Sequence, residues 1–84
     1  MTEEEYLVLD ELYFVTSFDN LKQETNLSEE SLKLTLKTTI EKGWVRCFNS
    51  PEEEIEITMD DFEEHYTSFF YLASKKGLFA HNAQ

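Results

Sequence analysis

The chain has 84 residues and a formal net charge of −11, with 7 Lys and Arg against 18 Asp and Glu. That length holds one modest core and not two, and that charge repels the phosphates on which nucleic-acid affinity mostly rests. A lone cysteine, Cys47, excludes an internal disulfide and suits a reducing compartment.

Seven Phe, four Tyr and one Trp concentrate the apolar mass in bulky side chains. These residues fall in periodic blocks, which argues against disorder despite the charge. The longest apolar run, Phe69 to Ala73, is too short to span a bilayer. The stretch Thr2 to Glu5 is acidic, unlike the basic start of a secretory signal. The expected setting is the cytoplasm. The charge is uneven: residues 1–16 hold five acids and no base, whereas residues 17–44 hold five acids and four of the seven bases.

Thr2 is a natural N-cap, with Glu5 three residues on to close a capping box. Val8, Leu9, Leu12 and Val15 give the following helix its inner face, and the helix is expected to end near Phe14. Tyr6, Leu7, Tyr13 and Phe14 are left over on neighbouring sides, more apolar surface than one stripe needs. Ser17 caps a short helix from Phe18 to Glu24, with Leu21 facing inward. Asn26 suits the left-handed step of a tight turn. Ser28 caps a third helix whose first turn carries Glu29 and Glu30. Leu32, Leu36 and Ile40 form its stripe, Lys42 sits in its last turn, and Gly43 supplies a left-handed stop.

Trp44 to Phe48 is strongly strand-forming. Asn49-Ser50-Pro51 is a turn cluster, and Ile55-Glu56-Ile57 alternates as a half-buried strand. These make a hairpin with an acidic tip, Pro51-Glu52-Glu53-Glu54. Thr58 caps a final helix, with Ile57 and Phe62 as a hydrophobic staple. The spacing of Phe62, Tyr66, Phe69, Phe70 and Ala73 extends that helix to a stop at Gly77. Residues 1–79 form one domain, and residues 80–84 are expected to fray.

The order helix, short helix, turn, helix, hairpin, helix resembles the winged helix-turn-helix superfamily. Phe18 and Leu21, Thr25-Asn26-Leu27-Ser28, Leu32 and Leu36, Glu41-Lys42-Gly43-Trp44-Val45 and Ile57-Thr58 carry the resemblance, over roughly residues 5 to 75. It is nearest to small bacterial or archaeal transcriptional regulators, the MarR-like group included. The resemblance implies an α+β, mainly helical fold: three helices, a two-stranded wing with room for a short third strand, and an additional C-terminal helix. It also implies that the helix over residues 28–42 enters a DNA major groove while the wing touches the backbone. Relatives often carry leucine four residues before the glycine. Thr39 stands there in this chain, and Ile40 is expected to take over its packing.

On that reading the DNA-contact candidates are Lys22, Ser31, Lys33, Leu34, Lys37, Thr38 and Arg46. Base contacts come mainly from the N-terminal part of such a helix, where this chain offers Glu29 and Glu30. Its wing has Arg46 as the only base. Dipole matching accounts better for Glu29 and Glu30 than groove contact does, whereas Lys33 and Lys37 fit a solvated face and a phosphate contact equally. The first and last helices pair in related regulators and often build a dimer. The interaction candidates are therefore Tyr6, Leu7, Tyr13, Phe14, Tyr71, Leu72 and Phe79, as a homodimer surface.

Glu64-His65 lacks the second histidine of a zinc helix, His81 falls in the tail, and no glycine-rich phosphate loop is present. No enzyme chemistry, cofactor or metal is expected. The first reading is a regulatory module that contacts protein. The alternative is a sequence-specific DNA-binding regulator acting as a dimer.

Overall fold

The computed structural model describes all residues, 1–84. In chain order the elements are α1 (Glu3–Glu11), β1 (Thr16–Ser17), α2 (Phe18–Thr25), α3 (Glu29–Glu41), β2 (Val45–Ser50), β3 (Glu53–Ile55), α4 (Met59–His65), β4 (Phe70–Ala73) and α5 (Lys75–Asn82). The fold is α+β: five helices and one antiparallel sheet in the order β1-β4-β2-β3.

Local hydrogen bonds set most helix starts. Thr2 Oγ1 accepts from Glu5 N at 3.0 Å, and Thr2 N donates back to Glu5 Oε1 at 2.9 Å. Thr58 and Asp61 close the same box at α4, and Ser17 and Ser28 accept from Asn20 N and Ser31 N to cap α2 and α3, each satisfying a backbone N–H that a helix leaves unpaired. Asn26 takes the left-handed conformation at φ 59°, and so does Gly43 at φ 76°. These two residues turn the chain out of α2 and α3. Helix α1 stops at Glu11, short of Phe14, because Leu12 turns away and is fully buried instead.

One core unites the elements. Val8 and Leu9 of α1 and Leu12 just after it meet Phe18 and Leu21 of α2, Leu32 and Leu36 of α3, and Phe62 of α4. The sheet adds Val45, Cys47, Tyr71 and Ala73 from its inner face. Thr39 is fully buried in α3 and Ile40 only half-buried, so Thr39 keeps the core position expected to pass to Ile40. Its hydroxyl donates to Thr35 O at 2.8 Å and Leu36 O at 3.0 Å, which removes the cost of burying it.

The chain after residue 65 differs from the sequence-based expectation. The long final helix is three elements: short α4, strand β4 and helix α5. Strand β4 lies inside the sheet, with Cys47 opposite Tyr71 and Thr16 opposite Tyr71 on the other side. A strand with neighbours on both edges and apolar residues on both faces reads as a continuous apolar run that periodicity does not separate from a buried helix, so the helical reading of Phe70–Ala73 is wrong. Ser74 caps α5, its Oγ accepting from Gly77 N at 3.1 Å. Gly77 lies inside that helix and ends nothing. Residues 80–82 are helical and His81 is buried, so the expected frayed tail is largely structured.

Glu5 joins the first helix to the third. Its side chain is buried, and Oε2 accepts from Lys42 Nζ at 2.7 Å. Lys42 also lies over the Trp44 ring, 4.5 Å from its centroid. Burial alone raises the Glu5 pKa, but the Lys42 hydrogen bond, the Thr2 amide and the Lys42 charge outweigh it, so the carboxyl sits below its ordinary 4.5. A depressed folded value means that Glu5 contributes stability above about pH 4.5 and loses it as pH falls through the folded value. Lys42→Met leaves this carboxylate buried without its counter-ion. The expected loss is about 1–3 kcal/mol at pH 7, below the range for fully buried pairs because Lys42 is half exposed. The deficit should shrink toward pH 4 as Glu5 protonates. Urea midpoints at both pH values check this, and an equal deficit at both would show that the carboxylate is not its source.

Candidate functional site

Two surfaces gather the residues that the sequence singles out. The first is the outward face of α3. Capping by Ser28 and the Leu32–Leu36 stripe turn Glu29, Glu30, Lys33, Leu34, Lys37 and Thr38 away from the core. Leu34 is 62% exposed. Lys33 and Lys37 are not free, however. Glu63 of α4 holds Lys33 at 2.6 Å through one carboxylate oxygen and stands 3.8 Å from Lys37 with the other. Lys33 also lies over the Tyr66 ring, 4.8 Å from its centroid. Tyr66 Oη donates to Glu29 Oε2 at 2.7 Å.

Helix α4 therefore ties down three charged side chains of α3 through Glu63 and Tyr66. The titration directions agree. The Lys33 hydrogen bond pulls Glu63 below its ordinary value, and the same bond pushes Lys33 up. The Glu29 carboxylate beside the phenol pushes Tyr66 up. All of these groups face water, so the pairs orient side chains more than they stabilise the fold.

The remaining DNA-contact candidates are scattered. Ser31 is half-buried, and its backbone N–H donates to the Ser28 cap at 3.1 Å. Thr38 turns its hydroxyl back on Leu34 O at 3.2 Å and Thr35 O at 3.0 Å. Lys22 is exposed on α2, beside a shallow recess lined by Asp19, Gln23, Asn26 and Leu27.

Arg46 lies on the outer face of the sheet, since Val45 and Cys47 on either side of it point into the core. Its Nε donates to Glu54 Oε2 at 2.8 Å, and its Nη2 donates to the other oxygen of the same carboxylate. The guanidinium also sits 5.5 Å from the Phe48 ring centroid. This bidentate pair raises Arg46 and lowers Glu54. The one base of the hairpin is thus occupied by an acid of the same hairpin.

The second surface is built by α1 and α5. Tyr6 is 41% exposed, Tyr13 42%, Phe14 80% and Phe79 65%, with Leu7 also exposed. Tyr71 is not part of it. It is fully buried in β4, its hydroxyl donates to Tyr66 O at 2.6 Å, and its pKa is pushed up by desolvation. Leu72 is half-buried on the outer face of the sheet, beside its cross-strand neighbour Arg46. A helix through these residues would turn both to a surface, whereas strand β4 puts Tyr71 in the core and Leu72 on the sheet.

His81 is the residue that sequence reasoning missed. It is buried between the two exposed tyrosines, stacked on Tyr6 with ring centroids 4.3 Å apart and edge-on to Tyr13 at 5.6 Å. Its Nδ1 is 2.9 Å from Tyr13 Oη, which donates to Asn82 Oδ1 at 3.0 Å. Nε2 faces Asp10 Oδ1 at 3.4 Å and has no hydrogen-bond partner. The cluster fixes α5 on α1. The only sequence signal was its spacing from Ser74, a cap overlooked because β4 was read as helix.

Cys47 is buried, and desolvation pushes its thiol up to about 12, so at neutral pH it is an unreactive core residue. No three His, Cys, Asp or Glu side chains converge as a metal-holding group. No helix is long and apolar enough to cross a membrane. Comparison with protein-family models, with characterised proteins and with solved structures finds no match for this chain.

Proposed function

We propose that this chain is a small winged-helix-like regulatory module that works by contacting protein rather than by reading DNA, and that it catalyses no reaction. The winged-helix part of this reading is supported by the order α1, β1, α2, turn, α3, hairpin, with Asn26 in the turn and Gly43 before the hairpin. Helix α4, strand β4 and helix α5 follow that order.

One observation carries the choice of partner. Glu63 of α4 is bonded to Lys33 and stands close to Lys37, the two bases on the face that would meet a groove. A recognition helix must offer its cations to phosphate and base edges. Here they are spent on an acid from the same chain. The hairpin repeats the pattern with Arg46 and Glu54. Glu52 and Glu53 stand exposed at its tip, and the chain's charge is −11. Meanwhile the exposed aromatics lie on α1, on the turn after it and on α5, where protein contact favours them.

A fluorescence-anisotropy titration of purified protein into random duplex at low salt tests the reading. The expected result is no saturable binding at concentrations of about 100 µM, where DNA-binding domains already bind non-specifically. Micromolar or tighter binding that weakens steeply with added salt would overturn it in favour of a DNA-binding regulator.

A further inference from the structure

We propose that the open edge of the β2–β3 hairpin, from Glu54 to Ile57, takes up an extended segment of a partner protein in which lysine or arginine alternates with apolar residues. This rests on the protein-contact reading above and adds the place and the chemistry of one contact.

The order of the sheet leaves this edge open. Strand β3 is the last strand and pairs on one side only, with β2. Trp44 O accepts from Ser74 N at 2.8 Å, which fixes the alternation along β2. Arg46 and Phe48 turn their backbone toward β4, and Val45 and Cys47 turn theirs toward β3. Cys47 and Ile55 therefore face each other across the β2–β3 ladder. Glu54 and Glu56, on either side of Ile55, direct N–H and C=O away from β2 and out over the edge.

The ladder also stops early. Continued past Cys47 and Ile55, its register would set Val45 opposite Ile57. No backbone hydrogen bond joins those two, and Glu56 and Ile57 make none with any residue. The chain parts from β2 there and leaves a recess of about 280 Å³ among Ile40, Val45, Ile55 and Ile57. Ile40, Ile55 and Ile57 are half-buried, so apolar surface is left for a partner to cover. The volume falls below the roughly 300–1,000 Å³ of small-molecule pockets and suits a side chain of a docked segment instead.

Pattern and charge choose the occupant. Glu54-Ile55-Glu56-Ile57 alternates, with the isoleucines on the face of Val45 and Cys47 and the acids on the face of Arg46. An added strand sets its own alternate residues beside each of these two rows. Arg46 is held by Glu54, and no base of the chain pairs with Glu52, Glu53 or Glu56. The edge of a second copy would set acids against acids, which disfavours pairing. The segment that fits carries bases beside the glutamates and aliphatic side chains beside the isoleucines.

A short capped peptide alternating lysine and valine is the probe, titrated into isotope-labelled protein and followed by amide chemical shifts. The expected result is saturable binding with Kd on the order of 0.1–1 mM, and the largest shifts at residues 45–47 and 53–57. A chain with a charge of −11 draws any basic peptide weakly, so three comparisons isolate the edge. A peptide of the same composition with its lysines and valines in separate blocks should bind at least about tenfold more weakly, because it cannot match both rows. N-methylation of alternate peptide amides should weaken binding about tenfold in one phase and leave it unchanged in the other, since only every second N–H of an added strand faces the edge. Glu53→Lys with Glu56→Lys replaces two exposed side chains, and should weaken binding at least about tenfold while leaving the circular dichroism unchanged. Shifts that miss residues 53–57 overturn the inference. So does equal binding of the two peptides, or indifference to N-methylation in both phases. Those results remove this edge and leave the protein-contact reading standing, whereas salt-sensitive duplex binding removes that reading whatever the peptide does.

Discussion

Gly77→Ala is expected to destabilise the chain by about 3 kcal/mol or more, at or above the top of the usual range for overpacking. The cause is contact rather than conformation. Gly77 lies within α5, and its φ is not in the left-handed region. A β-carbon built there would overlap the carbonyl oxygen of Trp44 and come within 3.0 Å of its carbonyl carbon. That peptide cannot step aside. Trp44 O accepts from Ser74 N at 2.8 Å, Trp44 N donates to Thr39 O at 2.9 Å, and Ser74 Oγ donates to the neighbouring Gly43 O at 2.6 Å. Helix α5 must shift outward instead, which loosens His81 from Tyr6 and Tyr13.

The sign makes the test decisive. Glycine in an open helix costs up to about 1 kcal/mol relative to alanine, so without the Trp44 contact the substitution would stabilise. For a domain of this size each kcal/mol moves the melting temperature by about 4–8 °C, so a fall of more than about 10 °C is expected. Urea denaturation with near-ultraviolet circular dichroism measures it. An unchanged or raised midpoint would mean that α5 does not seat on Trp44.

Gly77 also marks where the sequence was legible and where it was not. Several signals that act within four residues read correctly, although the Ser74 cap did not and Asn49-Ser50 continue strand β2 where a turn was expected. Thr2 with Glu5, Ser17, Ser28 and Thr58 each cap a helix, and Asn26 and Gly43 each take the left-handed step. Such features follow from side chains meeting their own backbone. Gly43 and Gly77 look alike in sequence, both following lysines after an apolar segment. One is required by its φ of 76°, the other by a peptide 33 positions earlier in the chain, and only tertiary structure separates them. Likewise, Phe69 to Ala73 has the composition of a strand buried between two neighbours, but its partners Thr16–Ser17 and Val45–Phe48 are distant in sequence.

The candidate surfaces divide the same way. Exposure of Tyr6, Tyr13, Phe14 and Phe79 followed from apolar residues in surplus of one helical stripe. The engagement of Lys33 and Lys37 did not, because Glu63 reaches them from a helix on the far side of the hairpin. Read in sequence, two lysines four apart on a helix promise a phosphate-binding face. The fold sets an acid of α4 beside them on that outer face.

Phe62→Ala carries the other large effect, about 3–5 kcal/mol, the usual cost of deleting a buried phenylalanine ring. Phe62 is fully exposed to the core and not at all to water, and it is the one fully buried side chain of the seven-residue α4. Met59 and Tyr66 beside it are half-buried. Tyr66 depends on it as well, with ring centroids 5.7 Å apart, and stands edge-on to Phe18 at 5.3 Å. A helix of two turns has no stability of its own, so removing its anchor should free α4 before it disturbs α1 to α3. Amide exchange should then rise most over residues 59–68, and urea denaturation should give the total loss. A loss under about 1 kcal/mol, with exchange unchanged over α4, would show that Phe62 does not hold the helix. The functional consequence follows from the contacts. When α4 loosens, Glu63 leaves Lys33 and Lys37, and Tyr66 leaves Glu29. If the cover on α3 is what keeps this chain from duplex DNA, the loosened variant and the milder Glu63→Gln should both gain salt-sensitive affinity over wild type. If the charge of −11 suffices on its own, neither will. The pair of variants therefore separates a local cover from a global field, and Glu63→Gln does so without removing a core residue.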